Sequence, residues 1–210
     1  MTGIISDNVG RTSGLIKAAS GGGGGVWTLI KTLTASADST LSFIDGTDDV
    51  VLDSTYPIYR FSFINMHAGT DNANLTFNMS IDSGSNYNVA KTTTFFNTYH
   101  DEADSSTSLG YQTPADLAQG TGFQMLLYGG LGNGNDESGS GEMWLFNPSS
   151  TTFVKHFMST VHFYYFGDYA ITSRAAGYGN TTSAVDAIQF KMDSGNIDAG
   201  KIKLYGLGDS

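Results

Sequence analysis

Four histidines are the first candidates for chemistry in this sequence, because imidazole serves as a general base or a metal ligand near neutral pH. His67 and His100 lie at positions typical of loops, whereas His156 and His162 lie six residues apart on one predicted strand. That spacing separates the two rings by about 20 Å along a strand, too far for one metal ion. No Gly-x-Ser-x-Gly sequence surrounds a serine nucleophile. The sequence therefore predicts surface or packed histidines, and no catalytic, cofactor or metal site.

The densest cluster of ionisable residues is His100-Asp101-Glu102-Ala103-Asp104. Glycosidases use paired carboxylates, one of which stays protonated because it is buried or has a charged neighbour. This cluster lies in a Ser/Thr-rich segment, where hydration of the carboxylates gives neither of them a reason to stay protonated. A solvated loop is therefore the favoured interpretation. Residues 45–49 and 133–137 resemble calcium-binding loops in composition but lack the twelve-residue spacing, and structural turns are favoured there too.

The elements that must position these residues are predicted to be strands. The chain of 210 residues is 40% hydrophobic and 12% aromatic, so it can bury a core, and its 27 Gly supply turns. Apolar and polar residues alternate along most of it, which is typical of strands. Predicted strands cover residues 27–34, 59–65, 75–81, 122–128, 142–146, 153–166, 169–175, 187–192 and 201–205, with one helical turn at 114–119 capped by Thr113. The fold class expected is all-β, a single jelly-roll-type β-sandwich over residues 26–210.

The charge balance excludes several classes of partner. The formal net charge is −10, and the ten Lys and Arg residues are scattered, which disfavours nucleic acid and anionic membranes. The chain has no Cys, so it has no disulfide framework and no thiol nucleophile. No secretion signal and no apolar run long enough to span a membrane is visible. We therefore expect a soluble protein that binds neither nucleic acid nor membrane.

Residues 1–25 form a separate segment that ends in five consecutive glycines. Such a run has no side chains to pack and acts as a flexible joint. Ahead of it, two apolar pairs, Ile4-Ile5 and Leu15-Ile16, lie among turn-forming residues. Two interpretations remain: a disordered leader, or an attachment arm whose apolar pairs fill pockets on a neighbouring subunit. We favour the arm, since a purely solvated leader gains nothing from Ile4, Ile5, Leu15 and Ile16.

The segment 153–166 carries more aromatic residues than a strand with one solvated face should. Either both of its faces are covered within the chain, or one face contacts another subunit. Large exposed aromatic areas usually mark interfaces. We predict an oligomer interface that includes Phe157, Phe163 and Tyr165.

Three segments carry a resemblance to a known group of proteins: residues 3–16 of the leader, residues 27–36 (WTLIKTLTAS), and residues 194–206, which read as a closing hairpin. In these segments the chain is similar to structural proteins of tailed, especially marine, bacteriophages, of the small fibre, spike or capsid-decoration kind. The resemblance implies a non-enzymatic β-sandwich that assembles on the virion with other capsid or tail proteins, commonly as a homotrimer. It implies no catalytic residue and no cofactor.

Three function classes follow for the sequence. The first is a virion structural protein attached through its N-terminal arm. The second is a carbohydrate-binding module that recognises a host receptor, because exposed aromatic side chains of a β-sandwich stack on sugars. The third is a glycoside hydrolase or lyase, which needs a cleft with paired carboxylates. We favour the first.

Overall fold

The computed structural model describes residues 25–208 of the chain. The predicted arm, with Ile4, Ile5, Leu15 and Ile16, lies outside the described residues. The described strands are β1 (Trp27–Thr34), β2 (Leu41–Ile44), β3 (Ile58–Ala68), β4 (Leu75–Ser80), β5 (Lys91–Asp101), β6 (Thr107–Tyr111), β7 (Gln124–Met125), β8 (Gly139–Phe146), β9 (Lys155–Tyr165), β10 (Tyr169–Gly179), β11 (Ala187–Met192) and β12 (Ile197–Leu207). A 3-10 helical turn, Thr113–Ala115, lies between β6 and β7.

The strands form two antiparallel sheets. The large sheet has the order β1-β12-β3-β8-β9-β10-β5-β6, and the small sheet has the order β2-β11-β4-β7. Buried side chains from both sheets meet in one main hydrophobic core. The prediction of an all-β sandwich is therefore confirmed.

Strand β3 shows how the sequence pattern makes the two faces of the large sheet. Tyr59, Phe61 and Phe63 are buried, because a strand turns every second side chain toward the same face. Arg60 and Ser62 consequently point to the other face of the sheet, away from the core. The same alternation continues in β9 and β10, so one face of the large sheet packs on the core and the other faces solvent.

The centre of the core is a cluster of phenylalanines around Phe190 of β11. Its ring centroid lies 5.3–6.4 Å from those of Phe43, Phe61, Phe63 and Phe77. These residues come from both sheets, so the cluster joins the two layers. Edge-on and tilted rings at such distances stabilise the packing beyond the burial of their area.

Strand β4 departs from simple alternation, since all six of its residues are buried. Its second face is covered by loops that the polar side chains bind. Asn78 Nδ2 donates to the carbonyl oxygens of Tyr87 (2.6 Å) and Thr121 (3.0 Å). Thr76 Oγ1 donates to the carbonyl of Lys191 (2.9 Å). Hydrogen bonds of this kind offset the cost of burying the polar groups.

Strands β2, β5 and β6 are missing from the sequence prediction. β2 has only four residues, too few for an alternation to stand out. The inward positions of β5 include Lys91, Thr93 and Asn97, all buried. Polar residues on both faces weaken the hydropathy alternation, so the pattern fails where the buried face is itself polar.

Two further predicted elements are corrected. The helical turn covers Thr113–Ala115 with Gln112 at its N-cap, so Thr113 lies inside the turn instead of capping it. The turn stops early because Asp116 is extended, and the next residue, Leu117, exchanges hydrogen bonds with Thr93. The strand predicted at 122–128 is reduced to the two residues of β7.

The segment 112–131 packs over the inner face of β5 and β10. Phe95, Ala115 and Ala175 form a small second core there, with Met125 and Tyr128 against it. We call strands β5, β6 and β10, together with this covering segment, the extension.

Candidate functional surface

The predicted interface residues of β9 are directed into the sandwich. Phe157 is 2% exposed and Phe163 is fully buried, both within the main core. Tyr165 is half-buried and packs against the same core. The outward positions of β9 hold His156 and Met158 instead. This placement corrects the choice of Phe157 and Phe163, because a side chain inside the core of one chain cannot contact another; Tyr165 as an interface residue and oligomerisation itself stay predictions.

Register across the large sheet aligns the outward side chains in rows, because directly opposed residues of antiparallel strands point to the same side. The first row is Tyr205, Arg60, Trp144, Met158, Ala176 and Thr94. The second row is Lys203, Ser62, Glu142, Thr160, Arg174, Phe96 and Tyr111. These two rows are called the outer face.

Aromatic and apolar side chains occupy the middle of the outer face. Trp144 meets Trp27 of β1 edge-on, with ring centroids 5.3 Å apart, and lies nearly parallel to Phe146 at 6.5 Å. Met158 is 51% exposed and Phe96 is 38% exposed. Exposed apolar side chains grouped on one face usually mark a binding surface.

Charges in this protein are divided between strands and loops. Every Lys and Arg within residues 25–208 lies in a strand, whereas among the carboxylates of that range only Asp101, Glu142 and Asp198 do. The charged residues of the outer face are Arg60, Arg174 and Lys203, with Glu142 as the carboxylate. A chain with a net charge of −10 thus presents a face on which cations outnumber anions.

Arg60 is held between two aromatic rings. Its guanidinium carbon lies 4.5 Å from the ring centroid of Trp27 and 4.9 Å from that of Tyr205. Cation–π attraction at these distances stabilises the charge without neutralising it. Its Nε atom is buried and has no hydrogen-bond partner among the described residues. Arg60 is therefore packed between two rings at this face, and no described carboxylate forms a salt bridge with it.

A groove of about 430 Å³ opens on the outer face beside Trp144. Small Ala176 lies between Met158 and Thr94 in the first row, which leaves a depression there. The groove is lined by the aromatic side chains of Phe146, His156 and Tyr178, together with Met158, Ala176 and the hydroxyl-bearing Thr92 and Thr94. Its volume falls within the range of small-molecule sites.

Two further cavities, of about 480 and 420 Å³, lie at the loop end of the sandwich and share Asp136 and Ser138. Their carboxylates mostly hold turns. Asp101 accepts hydrogen bonds from Ser105 and Ser106, and these bonds lower the pKa of its carboxyl group. Within residues 25–208 no group of three or more His, Asp or Glu could hold a metal ion.

The phenol of Tyr164 lies at the same end and donates a hydrogen bond to Asp168 (3.0 Å). This bond, together with the nearby carboxylate of Glu102, raises the pKa of Tyr164. A phenol that stays protonated acts as a hydrogen-bond donor, not as a base. Each of the four imidazole rings contacts a different side chain. His67 contacts Asp198, His100 contacts Asp104 and His162 contacts Thr172 through a ring nitrogen, whereas His156 packs against the ring of Tyr178.

Sequence reasoning did not find Arg60, Trp144 or Tyr205 as one group, because they come from three strands far apart in the chain. A partial signal was present, since the alternation in residues 59–65 already places Arg60 on the opposite face of the strand from the buried Phe61. What the pattern does not contain is the register that brings Arg60 opposite Trp144 on one side and Tyr205 on the other.

No known protein family, curated protein or solved structure matches this chain. Within residues 25–208 no helix has the length and apolar character needed to cross a membrane. A function has to be inferred from the strand order, the outer face and its groove.

Proposed function

We propose that this protein is a non-enzymatic virion structural protein, a fibre, spike or capsid-decoration subunit that attaches through its N-terminal arm. It assembles as a homo-oligomer, with the trimer as the state implied by the resemblance to tailed-phage proteins. Its partners are other capsid or tail proteins.

The observation that carries the proposal is the order in which the strands pair, which supports a jelly roll. Two inserted hairpins, β5–β6 and β9–β10, leave eight strands in chain order: β1, β2, β3, β4, β7, β8, β11 and β12. The first pairs with the eighth, the second with the seventh, the third with the sixth and the fourth with the fifth. A long antiparallel ribbon rolled into two sheets has this pairing, and viral capsid domains commonly use it.

Exposed apolar residues at the edge strand β6 support the assembly part of the proposal. Leu109 is 69% exposed and Tyr111 is 53% exposed. β6 pairs only with β5 among the described strands, so its other side offers free backbone donors and acceptors. Soluble monomers usually protect such an edge with Lys or Pro. β6 (Thr107–Tyr111) contains neither.

A carbohydrate-binding module for a host receptor is the second candidate function. The same architecture builds lectin domains. The specific observation in its favour is the groove walled by Phe146, His156 and Tyr178. The two functions are compatible, because a virion subunit can carry a receptor site.

Mass spectrometry of purified virus particles that carry the gene for this chain tests the proposed function. We expect the chain among the particle proteins, at hundreds of copies for a decoration subunit or at a few to tens for a fibre or spike. Its absence from intact particles would overturn the proposal.

A variant lacking residues 1–20 tests attachment separately. We expect it to keep its melting temperature and to be missing from particles. A full-length variant with Ser at Ile4, Ile5, Leu15 and Ile16 should behave alike, because the apolar pairs rather than the chain length make the contact. Incorporation of either variant at the wild-type copy number contradicts an attachment arm.

A further inference from the structure

We propose that the outer face of the large sheet binds a carboxylate-bearing sugar chain, with its sugar rings in the groove beside Tyr178 and its carboxylates on Arg174 and Arg60. This site goes beyond the virion role, which requires no glycan. It also sharpens the second candidate function, because it names the chemical class of the sugar and the residues that select it.

The shape and lining of the groove fit a sugar ring. Phe146 and Tyr178 supply flat apolar surfaces, on which the C–H face of a pyranose packs. Thr92 and Thr94 line the same groove and offer hydroxyls as donors and acceptors to sugar hydroxyls. Its volume of about 430 Å³ holds one or two sugar units.

The charge next to the groove selects for an acidic sugar. Arg174 lies two residues before Ala176 on β10, so both side chains point outward, and it lies opposite Phe96 and Thr160, neither of which neutralises it. No described carboxylate forms a salt bridge with it. Guanidinium groups bind carboxylates through paired ionic hydrogen bonds, which are stronger than the bonds that the hydroxyls of a neutral sugar accept.

Arg60 provides a second contact across Trp144, at the other end of the first row. Its ring neighbours orient the guanidinium, and no described carboxylate forms a salt bridge with it. Neighbouring strands are about 4.8 Å apart, so the row from Arg60 to the groove covers roughly 15 Å. An extended oligosaccharide of a few units covers that distance, whereas a single sugar does not.

Other anionic partners fit this face less well. The carboxylates of a second copy of this chain lie mostly on loops, and several, such as Asp53 and Asp82, already accept hydrogen bonds within their own turns. Single-stranded nucleic acid needs cations along its whole backbone. The outer face has only Arg60, Arg174 and Lys203 as cations, with the carboxylate of Glu142 among them, and the chain as a whole repels a polyanion through its net charge of −10.

Calorimetric titration of the full chain with a galacturonate hexamer, a neutral galactose hexamer and a sialylated trisaccharide tests the site. We expect the galacturonate hexamer to bind at least about tenfold more tightly than the galactose hexamer, since ionic hydrogen bonds are lost with the neutral sugar. Added salt should weaken the acidic ligand and leave the neutral one nearly unchanged. The sialylated trisaccharide, with one carboxylate, should fall between them.

Three variants locate the site. Tyr178→Ala should weaken all three sugars, whereas Arg174→Gln and Arg60→Gln should weaken the galacturonate hexamer by about tenfold and leave the galactose hexamer unchanged. The matched control is Lys191→Gln, which removes one positive charge on the small sheet, where Lys191 lies over Phe123. We expect the control to change every affinity by less than about twofold, as for a distant surface charge.

The outcomes separate cleanly. Absence of binding by all three sugars at millimolar concentration overturns the site, as does equal affinity for the acidic and neutral hexamers. Equal binding of a poly-glutamate peptide or of single-stranded DNA would identify a general polyanion surface and would also overturn it. NMR titration of the wild-type chain gives a test that does not depend on any variant folding. The backbone amide shift changes caused by the sugar must centre on β9 and β10. The virion proposal is unaffected by any of these results.

Discussion

The main core and the extension are held together in different ways. In the main core the packing is apolar, with four phenylalanine rings arranged around Phe190 among buried aliphatic side chains. In the extension the buried side chains of Thr93, Asn97, Gln124 and Ser173 bond to one another and to the covering segment. One region depends on removing apolar area from water, and the other depends on directed hydrogen bonds.

The hydrogen bonds of the extension hold a specific segment in place. Asn97 Nδ2 donates to the carbonyl of Tyr128 (2.7 Å), while its Oδ1 accepts from Ser173 Oγ (2.7 Å). Gln124 Nε2 donates to the carbonyl of Ala115 (2.8 Å), and its Oε1 accepts from Thr93 Oγ1 (2.7 Å). Apolar packing tolerates shape changes that conserve volume, but a buried polar network loses its benefit when one member is missing. The two regions should therefore respond differently to substitution.

The largest expected effect is in the main core. Phe190→Ala should lower the free energy of unfolding by about 3–5 kcal/mol, because it removes buried area and leaves a cavity among four rings. The matched control is Phe96→Ala on the outer face, which should cost less than about 0.5 kcal/mol. Urea unfolding followed by tryptophan fluorescence measures both. Equal losses for the two variants would contradict the central place of Phe190.

The junction of the two regions should make stability depend on pH. Lys91 is fully buried at the start of β5, and its ammonium donates to Asn78 Oδ1 (2.5 Å) and to the carbonyl of Val89 (2.7 Å). Burial lowers the pKa of Lys91 to about 7. The unfolded chain then binds more protons than the folded chain between about pH 7 and 10.5, so stability rises with pH across that window.

The expected gain between pH 7 and pH 9 is up to about 2 kcal/mol. Denaturant melts at both pH values measure it. Lys91→Met should flatten the slope, whatever its effect on absolute stability, because it removes the titrating group. Lys201→Met, at an exposed strand position, should leave the slope unchanged. A slope that persists in Lys91→Met would assign the pH dependence to another group.

In the extension, Gln124→Met conserves length and removes the polar atoms. It should cost about 1–3 kcal/mol, because Thr93 and the carbonyl of Ala115 lose their partner. Hydrogen exchange should rise mainly within residues 112–131, since the main core does not depend on this side chain. The control is Gln189→Met, whose amide makes one part-buried bond to Ser42. Uniform loss of protection across both regions would show that they unfold as one unit.

The smallest effect on stability is expected at the edge of the extension. Leu109→Lys should change the free energy of unfolding by less than about 0.5 kcal/mol, because the side chain is already exposed. It should nevertheless lower the average mass in light scattering, since a charge on an edge strand opposes pairing. Leu29→Lys makes the same change on β1, at the opposite edge of the sheet. If only Leu29→Lys dissociates the oligomer, the interface lies at β1 and not at β6.

How much of this molecule the sequence predicts depends on whether the buried face is apolar. Strands β3 and β9 follow from alternation, because Phe61 and Phe157 alternate with outward side chains such as Arg60 and Met158. β5 does not, because Lys91 and its polar neighbours are buried through hydrogen bonds that hydropathy does not register. Phe157 and Phe163 were assigned to an interface for a related reason: the pattern showed an apolar face without showing what covers it.

The sequence by itself determined the fold class, the expected period of the strands and the acidic character of the chain. Only the tertiary structure decided which side chains share a surface. Arg60, Trp144 and Tyr205 come from β3, β8 and β12, and they meet because strand pairing between distant parts of the chain sets their register. A shift of one residue in either pairing would turn Arg60 toward the core, so packing of Phe61 and Phe63 selects the register. Long-range packing energy, which no local pattern contains, therefore assembles the outer face.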